Sequence, residues 1–430
     1  MRTLLFTGPG GAGTTTLAAA AAVRAARAGR RVVLLTRQEV PAGTADDGVE
    51  VVRVEPQAAF EALWGARAAE LAATLPDLGL PPATSVVPLP GAGELAVLSA
   101  LGGVGPGTDL VVVDGGPLGT GAGLVALPGA LRWWLDQAFP ARVRVLAAVR
   151  TAAVRAGTVR RGAVDLALAA VPELEALLDR LALADPAGTA VWLVGRPRPS
   201  AVAALRTATT ALAVHGQHPV GVLVRRSPGG GPEDWAGTRA AEQEAALAAL
   251  ADVAPVREVA EAAVEPAGAD VLAALLPDLP EPAGQSPELA PERVEGGWRL
   301  TLPLPFAERE GVQLTRWEDD LVLTAAGGRR SVRLDALLRR CVVTSGGLAD
   351  AGTAAARLEV GFAPDPQQWP VDLLAAAAQD PARTREPQDP PQAREPQDPG
   401  QTTEPQDPAR TTEPHDTGSP DTGPQDRGTE

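Results

Sequence analysis

The stretch that decides the fold is Leu4-Leu5-Phe6-Thr7-Gly8-Pro9-Gly10-Gly11-Ala12-Gly13-Thr14-Thr15-Thr16 and the alanine-rich run that follows it to Ala28. Leu4 to Thr7 reads as a short strand. Thr15 to Ala28 reads as a helix, because alanine is the best helix former, and Gly29 is a suitable stop. Between them, the glycines permit a tight turn. A strand, a glycine-rich turn and a helix in that order are the setting of a phosphate-binding loop, whose pattern is G-x-x-x-x-G-K-[ST]. In such a loop the backbone N–H groups of residues such as Gly8, Gly10, Gly11, Ala12 and Gly13 face phosphate oxygens, and the helix N-terminus adds positive partial charge. Thr15 takes the place of the hydroxyl that binds magnesium. Thr14 takes the place of the lysine, so the most specific letter of the pattern is absent.

Further strands are expected at Arg31 to Leu35, Leu110 to Val113, Val191 to Val194 and Val220 to Val224. They are nearly continuous in valine and leucine, as strands buried on both faces of a parallel sheet are. Helical stretches separate them. The reading is an α/β, doubly wound, mostly parallel sheet. The strand signal vanishes between Leu124 and Leu183, which predicts a helical insert at about 124–185. A first domain over 1–280 follows.

Proline becomes dense from Pro277 to Pro291, which marks a linker at 281–295. Beyond it the period changes to two: Trp298-Arg299-Leu300-Thr301-Leu302, Val312-Gln313-Leu314-Thr315, Leu321-Val322-Leu323, Ser331-Val332-Arg333-Leu334 and Arg357-Leu358-Glu359-Val360 all alternate. Such strands, with turns such as Gly327-Gly328, predict a small antiparallel β-sandwich over 296–362. The tail, 363–430, repeats Gln-Asp-Pro from Gln379 and carries 12 acids and 5 arginines from there on, with almost nothing to bury. It is expected to be disordered.

The composition excludes several function classes. The net charge is -15, which disfavours nucleic acid, whose binding rests on neutralising phosphates. Every basic residue is arginine. Cys341 is the only cysteine, so no intramolecular disulfide or Cys-x-x-Cys zinc site can form. His215 and His218 could share a metal in principle, but two ligands without cysteine or a nearby carboxylate cluster make a weak case, and a structural or surface role is expected. No signal peptide and no transmembrane-length apolar run is visible, so a soluble cytoplasmic protein is expected.

The loop resembles that of the anion-transporting, arsenical-pump (ArsA) ATPase family, which includes the ATPase that delivers tail-anchored membrane proteins. That family's loop reads KGGVGKTT; Pro9 to Thr16 reads PGGAGTTT in the same frame. The likeness continues in Pro90-Gly91-Ala92-Gly93-Glu94-Leu95, similar to the family's PG-x-x-EL. It continues in Asp114-Gly115-Gly116-Pro117-Leu118-Gly119-Thr120, similar to DTAPTGH. Trp298 to Phe362 resembles the small heat-shock-protein-like domain appended to many bacterial members.

The resemblance implies ATP and Mg2+ as ligands, with Thr15 and Asp114 at the metal and Gly8 to Thr16 at the phosphates. It also implies an adenine contact at Arg225, where the family has asparagine. Both family lysines are missing: Pro9 replaces the one that reaches the partner subunit's nucleotide, and Thr14 replaces the one on the protein's own. Gln38, or Glu39 if the frame slips by one, stands at the aspartate that polarises the attacking water.

The expectation is an ATPase-like protein with weak or lost hydrolysis, serving as a nucleotide-binding or client-binding scaffold. Two alternatives stay open. One is an active ATPase coupled to anion export or membrane-protein targeting. The other is a chaperone-like protein that uses the helical insert and the sandwich. Arsenite fits poorly, since soft thiolates suit it and Cys341 is alone. A homodimer or heterodimer with a related ATPase is implied, as is an apolar or membrane-protein client. Trp133 and Trp134 are expected to pack in the core or an interface.

Overall fold

The computed structural model describes residues 2–74, 79–140, 162–228, 233–280 and 289–369, together with residue 282 and a few positions between 143 and 156. Seven strands make the first sheet: β1 (Arg2–Gly8), β2 (Val32–Thr36), β3 (Glu50–Arg53), β4 (Leu110–Pro117), β5 (Thr189–Gly195), β6 (Pro219–Arg226) and β7 (Val256–Ala260). Their order is β3-β2-β4-β1-β5-β6-β7, and each neighbouring pair is parallel. The chain leaves β1 toward one edge and returns past it to the other, so the loop after β1 lies where the strand order reverses. Open α/β sheets bind ligands at such a point, outside the carboxyl ends of the strands.

The apolar runs of the sequence have a simple cause. Alternate residues of each central strand enter two different cores. Leu5, Val111, Val113, Val191 and Leu193 face one side of the sheet, and Leu4, Phe6, Val112, Trp192 and Val194 face the other. Helix α1 (Thr14–Arg27) covers the second side with a row of buried alanines, Ala18 to Ala22, assisted by a short C-terminal helix at Ala269–Leu275. The first side is covered by α2 (Ala92–Gly102), α3 (Leu118–Ala138), α4 (Ala163–Arg180), α5 (Pro199–Val214) and α6 (Glu233–Ala251). A further helix, Pro56–Thr74, lies between β3 and α2 in the chain.

The described parts of the connection from β4 to β5 are mainly helical, as the sequence predicts. Its two described helices also serve the sheet: Leu124 and Val125 of α3 and Leu178 of α4 are buried in the first core. Trp134 of α3 lies outside the core. It is 64% exposed and meets Trp133 edge to face at 4.9 Å. Leu135 still packs against the first core, whereas Asp136 and Gln137 are exposed, so Trp134 lies on the outer face of α3.

The C-terminal part is antiparallel throughout. One sheet joins β10 (Gln313–Trp317), β11 (Asp320–Ala325) and β12 (Gly328–Arg333). The other has the order β13 (Cys341–Ala349), β14 (Arg357–Pro364), β9 (Gly297–Pro303) and β8 (Glu292–Val294). Leu321 and Leu323 face Leu358 and Val360 in a shared core, as the period-two alternation requires. That core also takes Val214 from the end of α5. Thr210 Oγ1 donates to the Pro305 carbonyl at 2.6 Å, and the Arg206 guanidinium lies 5.1 Å from the centre of the Phe306 ring. The sandwich therefore rests on α5. Trp369 stacks on Trp298 at 5.4 Å. The repeat tail lies outside the described residues. Among the described residues, no helix is long and apolar enough to cross a membrane.

Candidate functional site

The glycine loop emerges from β1 and hands the chain directly to α1. Gly13 is the residue before the helix, with φ 95°, a left-handed conformation that glycine adopts without steric cost. Gly8 is needed for a different reason. A Cβ there would lie 2.3 Å from the Val194 carbonyl oxygen on the neighbouring strand β5. Gly10 and Gly11 are exposed at the tip, Ala12 is buried and Thr16 half-buried. Thr14 is buried, and its Oγ1 lies 3.1 Å from the point where a Gly8 Cβ would be. The side chain at the lysine position is therefore turned into the loop.

Asp114, near the end of β4, is 5% exposed and forms the hub of the site. Its Oδ2 accepts hydrogen bonds from Thr15 Oγ1 at 2.7 Å and from Thr36 Oγ1 at 2.8 Å, and its Oδ1 accepts one from the Gly116 N–H at 3.2 Å. Three segments far apart in sequence are tied through one carboxylate. Thr36 in turn accepts from the Gln38 N–H at 3.0 Å, while the Gln38 side chain is exposed. Thr15 does not cap its helix: Gly13 is the capping position and no side chain bonds there.

Arg225, at the end of β6, reaches across to the loop. Its Nη2 is 3.4 Å from the Gly11 carbonyl, and its Nη1 would lie 3.3 Å from a Cβ on Gly13. Burial, and then repulsion from Arg196, hold Arg225 below the ordinary arginine range, partly offset by Glu261 at 3.8 Å.

The expected loop residues, Asp114, Thr15, Gln38 and Arg225, are thus brought to one end of the sheet. Thr36, Arg196 and the Arg37–Glu94 ion pair at 3.6 Å lie outside the expected set. Arg37 crosses close to Gly93, in the stretch 90–95 that also carries Glu94. Cys341 is buried at the start of β13, its Sγ 3.4 Å from the Leu337 carbonyl, with burial raising the thiol's pKa. His215 is buried beside β12, and no cluster of three or more potential metal-binding side chains occurs among the described residues.

A parallel sheet with a glycine loop at its reversal point, a helix starting from that loop and a carboxylate on the adjacent strand define a P-loop type of α/β domain. The family model for the anion-transporting ATPase matches residues 1–227, and that for the HSP20-like domain found in ArsA matches residues 295–362. The chain belongs to the anion-transporting ATPase (ArsA) family. It is 36% identical over 399 residues to the uncharacterized protein SCO2128 of Streptomyces coelicolor, covering 86% of this chain and 99% of that protein. It is 31% identical over 433 residues to protein Rv2184c of Mycobacterium tuberculosis, covering 86% of this chain and 97% of that one.

Proposed function

We propose that this protein binds nucleotide weakly, hydrolyses it negligibly and acts as a nucleotide-binding or client-binding scaffold. One observation carries the reading: the buried Thr14 fills the lysine position with a side chain folded back toward Gly8. Pro9 leaves the second lysine position without charge. Charge-assisted hydrogen bonds to phosphate contribute about 1.5–3 kcal/mol each. Phosphoryl transfer relies further on cations for the charge that shifts in the transition state, so catalysis should lose more than binding.

The residues present do suit a nucleotide with Mg2+. The loop leaves its tip free of side chains, and Thr15 and Asp114 sit together at 2.7 Å. Thr15 would hold the ion through its hydroxyl and Asp114 would hold it through water, as Mg2+ keeps several waters. The ion's contribution would be to shield phosphate charge. The loop amides would bind phosphate, and Asp114 would orient Thr15 and Thr36. Exposed Gln38 offers no carboxylate to turn a water toward the phosphate.

A second reading, client binding through α3 and the segment after it, draws on the exposed Trp134, Leu146 and Val149. Family resemblance supports a dimer, formed with itself or with a related ATPase, acting in the cytoplasm. The test is calorimetry and turnover with ATP and Mg2+. Thr14→Lys should tighten ATP by ten-fold or more. Turnover of about 1 s⁻¹ or faster by the native chain, abolished by Asp114→Asn, would overturn the reading.

A further inference from the structure

The loop has lost both lysines, yet arginines stand at the carboxyl ends of two neighbouring strands, and one of these reaches it. β1 is flanked by β5, and β5 by β6. Thr7 pairs with Leu193, and Gly195 pairs with Val224. Register alone therefore sets the start of the loop, Arg196 and Arg225 side by side at the carboxyl end of three consecutive strands. Arg196 carries no motif that would place it there, and Arg225 enters the family pattern only as an adenine contact.

The bonding of Arg225 is incomplete for a group with five N–H donors. Nη2 makes a long contact of 3.4 Å to the Gly11 carbonyl. Nε is buried and has no hydrogen-bond partner, with Glu261 Oε1 at 3.8 Å. Arg196 repels it, and burial removes water from it. Two like charges held together, one of them partly desolvated, is an arrangement that costs free energy. Among the described residues, Glu261 is the single carboxylate that pairs with either. An anion in the loop would reverse each of these costs: it would attract both guanidiniums and accept the unused N–H groups. Loop N–H groups and the start of α1 favour an anion at the same place. Arginine suits the task, because its planar fork matches phosphate oxygens.

We infer that Arg225, assisted by Arg196, supplies the positive charge that Thr14 and Pro9 no longer provide, so that the loop remains a site for the polyphosphate chain of a nucleotide. The inference rests on the reading above that nucleotide binds. It gives Arg225 a role different from the adenine contact its place in the family pattern implies.

The test uses the full-length chain and calorimetric binding of inorganic tripolyphosphate, which has no base, alongside Mg-ATP. Arg225→Ala should weaken both by about ten-fold or more. Arg225→Lys, which keeps the charge, should retain most of the affinity, and Thr14→Lys placed in the Arg225→Ala chain should restore it. Circular dichroism checks that each variant is folded. If Arg225→Ala weakens Mg-ATP but not tripolyphosphate, Arg225 contacts the base and the inference fails. It fails also if Arg225→Ala binds tripolyphosphate as well as or better than the native chain, the second result showing that Arg225 plugs the loop. If the native chain binds no tripolyphosphate, the inference falls while the reading of lost hydrolysis stands. If the native chain turns ATP over briskly and Arg225→Ala loses tripolyphosphate, the reverse is true.

Discussion

Thr36→Val tests whether the Asp114 hub holds the domain together. The substitution keeps the side chain's shape and removes its hydroxyl. Thr36 is 1% exposed, so water cannot readily take the hydroxyl's place. Two hydrogen bonds are lost: the donation to Asp114 Oδ2 at 2.8 Å and the acceptance from the Gln38 N–H at 3.0 Å. A hydrogen bond to a charged acceptor contributes about 1.5–3 kcal/mol, and a neutral one about 0.5–1.5 kcal/mol. The two share one oxygen and are not additive, so a loss of about 2–4 kcal/mol is expected. Against the usual total of roughly 5–15 kcal/mol, that is a large fraction. Urea unfolding followed by far-ultraviolet circular dichroism reads it, since the α-helices described here belong to the parallel-sheet domain. Comparison with Asp114→Asn and the double variant isolates the pairwise coupling. A midpoint within experimental error of the native one, or zero coupling, would refute the account of Asp114 as a structural hub.

His215 should make stability depend on pH. Burial, with Arg330 adding repulsion, lowers its pKa from 6.5 to about 4. Since the unfolded chain takes up the proton first, this contribution is complete above pH 6.5 and is lost as pH falls toward 4, by a total of about 3 kcal/mol. His215→Asn should flatten the difference in unfolding midpoint between pH 7 and pH 4.5, and an unchanged slope would count against it. The glycines of the loop should separate by role. Gly8→Ala, with its Cβ 2.3 Å from a backbone oxygen, should destabilise by about 1–3 kcal/mol, whereas Gly10→Ala, with nothing within 4 Å, should melt as the native chain does and weaken only phosphate binding.

The central strands are legible in the sequence because burial on both faces leaves no room for polar residues, and β1, β2, β4, β5 and β6 all read as unbroken apolar runs. The sheet edges are less legible. Glu50–Arg53 has charged, exposed ends, and Val256–Ala260 has only Val259 buried. Each has a single neighbour, so the pattern weakens. β13 is hidden for the same reason: most of Cys341–Ala349 is exposed, and it is an edge strand. At the site, the loop and Asp114 carry a local motif. Thr36 and Arg196 do not. Thr36 is 78 positions from the carboxylate it bonds, and Arg196 meets Arg225 only through strand register.

Retention of a residue in a degenerate site is evidence for function only where the fold alone does not demand it. Asp114 binds three donors from three segments without any ligand, so its presence is explained by folding. Gly13 is explained by its left-handed backbone, and Gly8 by the crowding of β5. None of these distinguishes a working site from a relic. Gly10 does. Its backbone is not left-handed and no atom would crowd a side chain there, so the free protein would accept alanine. What a side chain at the exposed tip would obstruct is the approach of a ligand to the loop backbone. Arg225 gives the same sign from the opposite direction: alone, it is a half-buried, under-bonded charge beside another arginine, which folding would discard rather than keep. The two residues the fold has least use for are the two that an anion in the loop would require, and this favours a site that still binds phosphate over one that only preserves its shape.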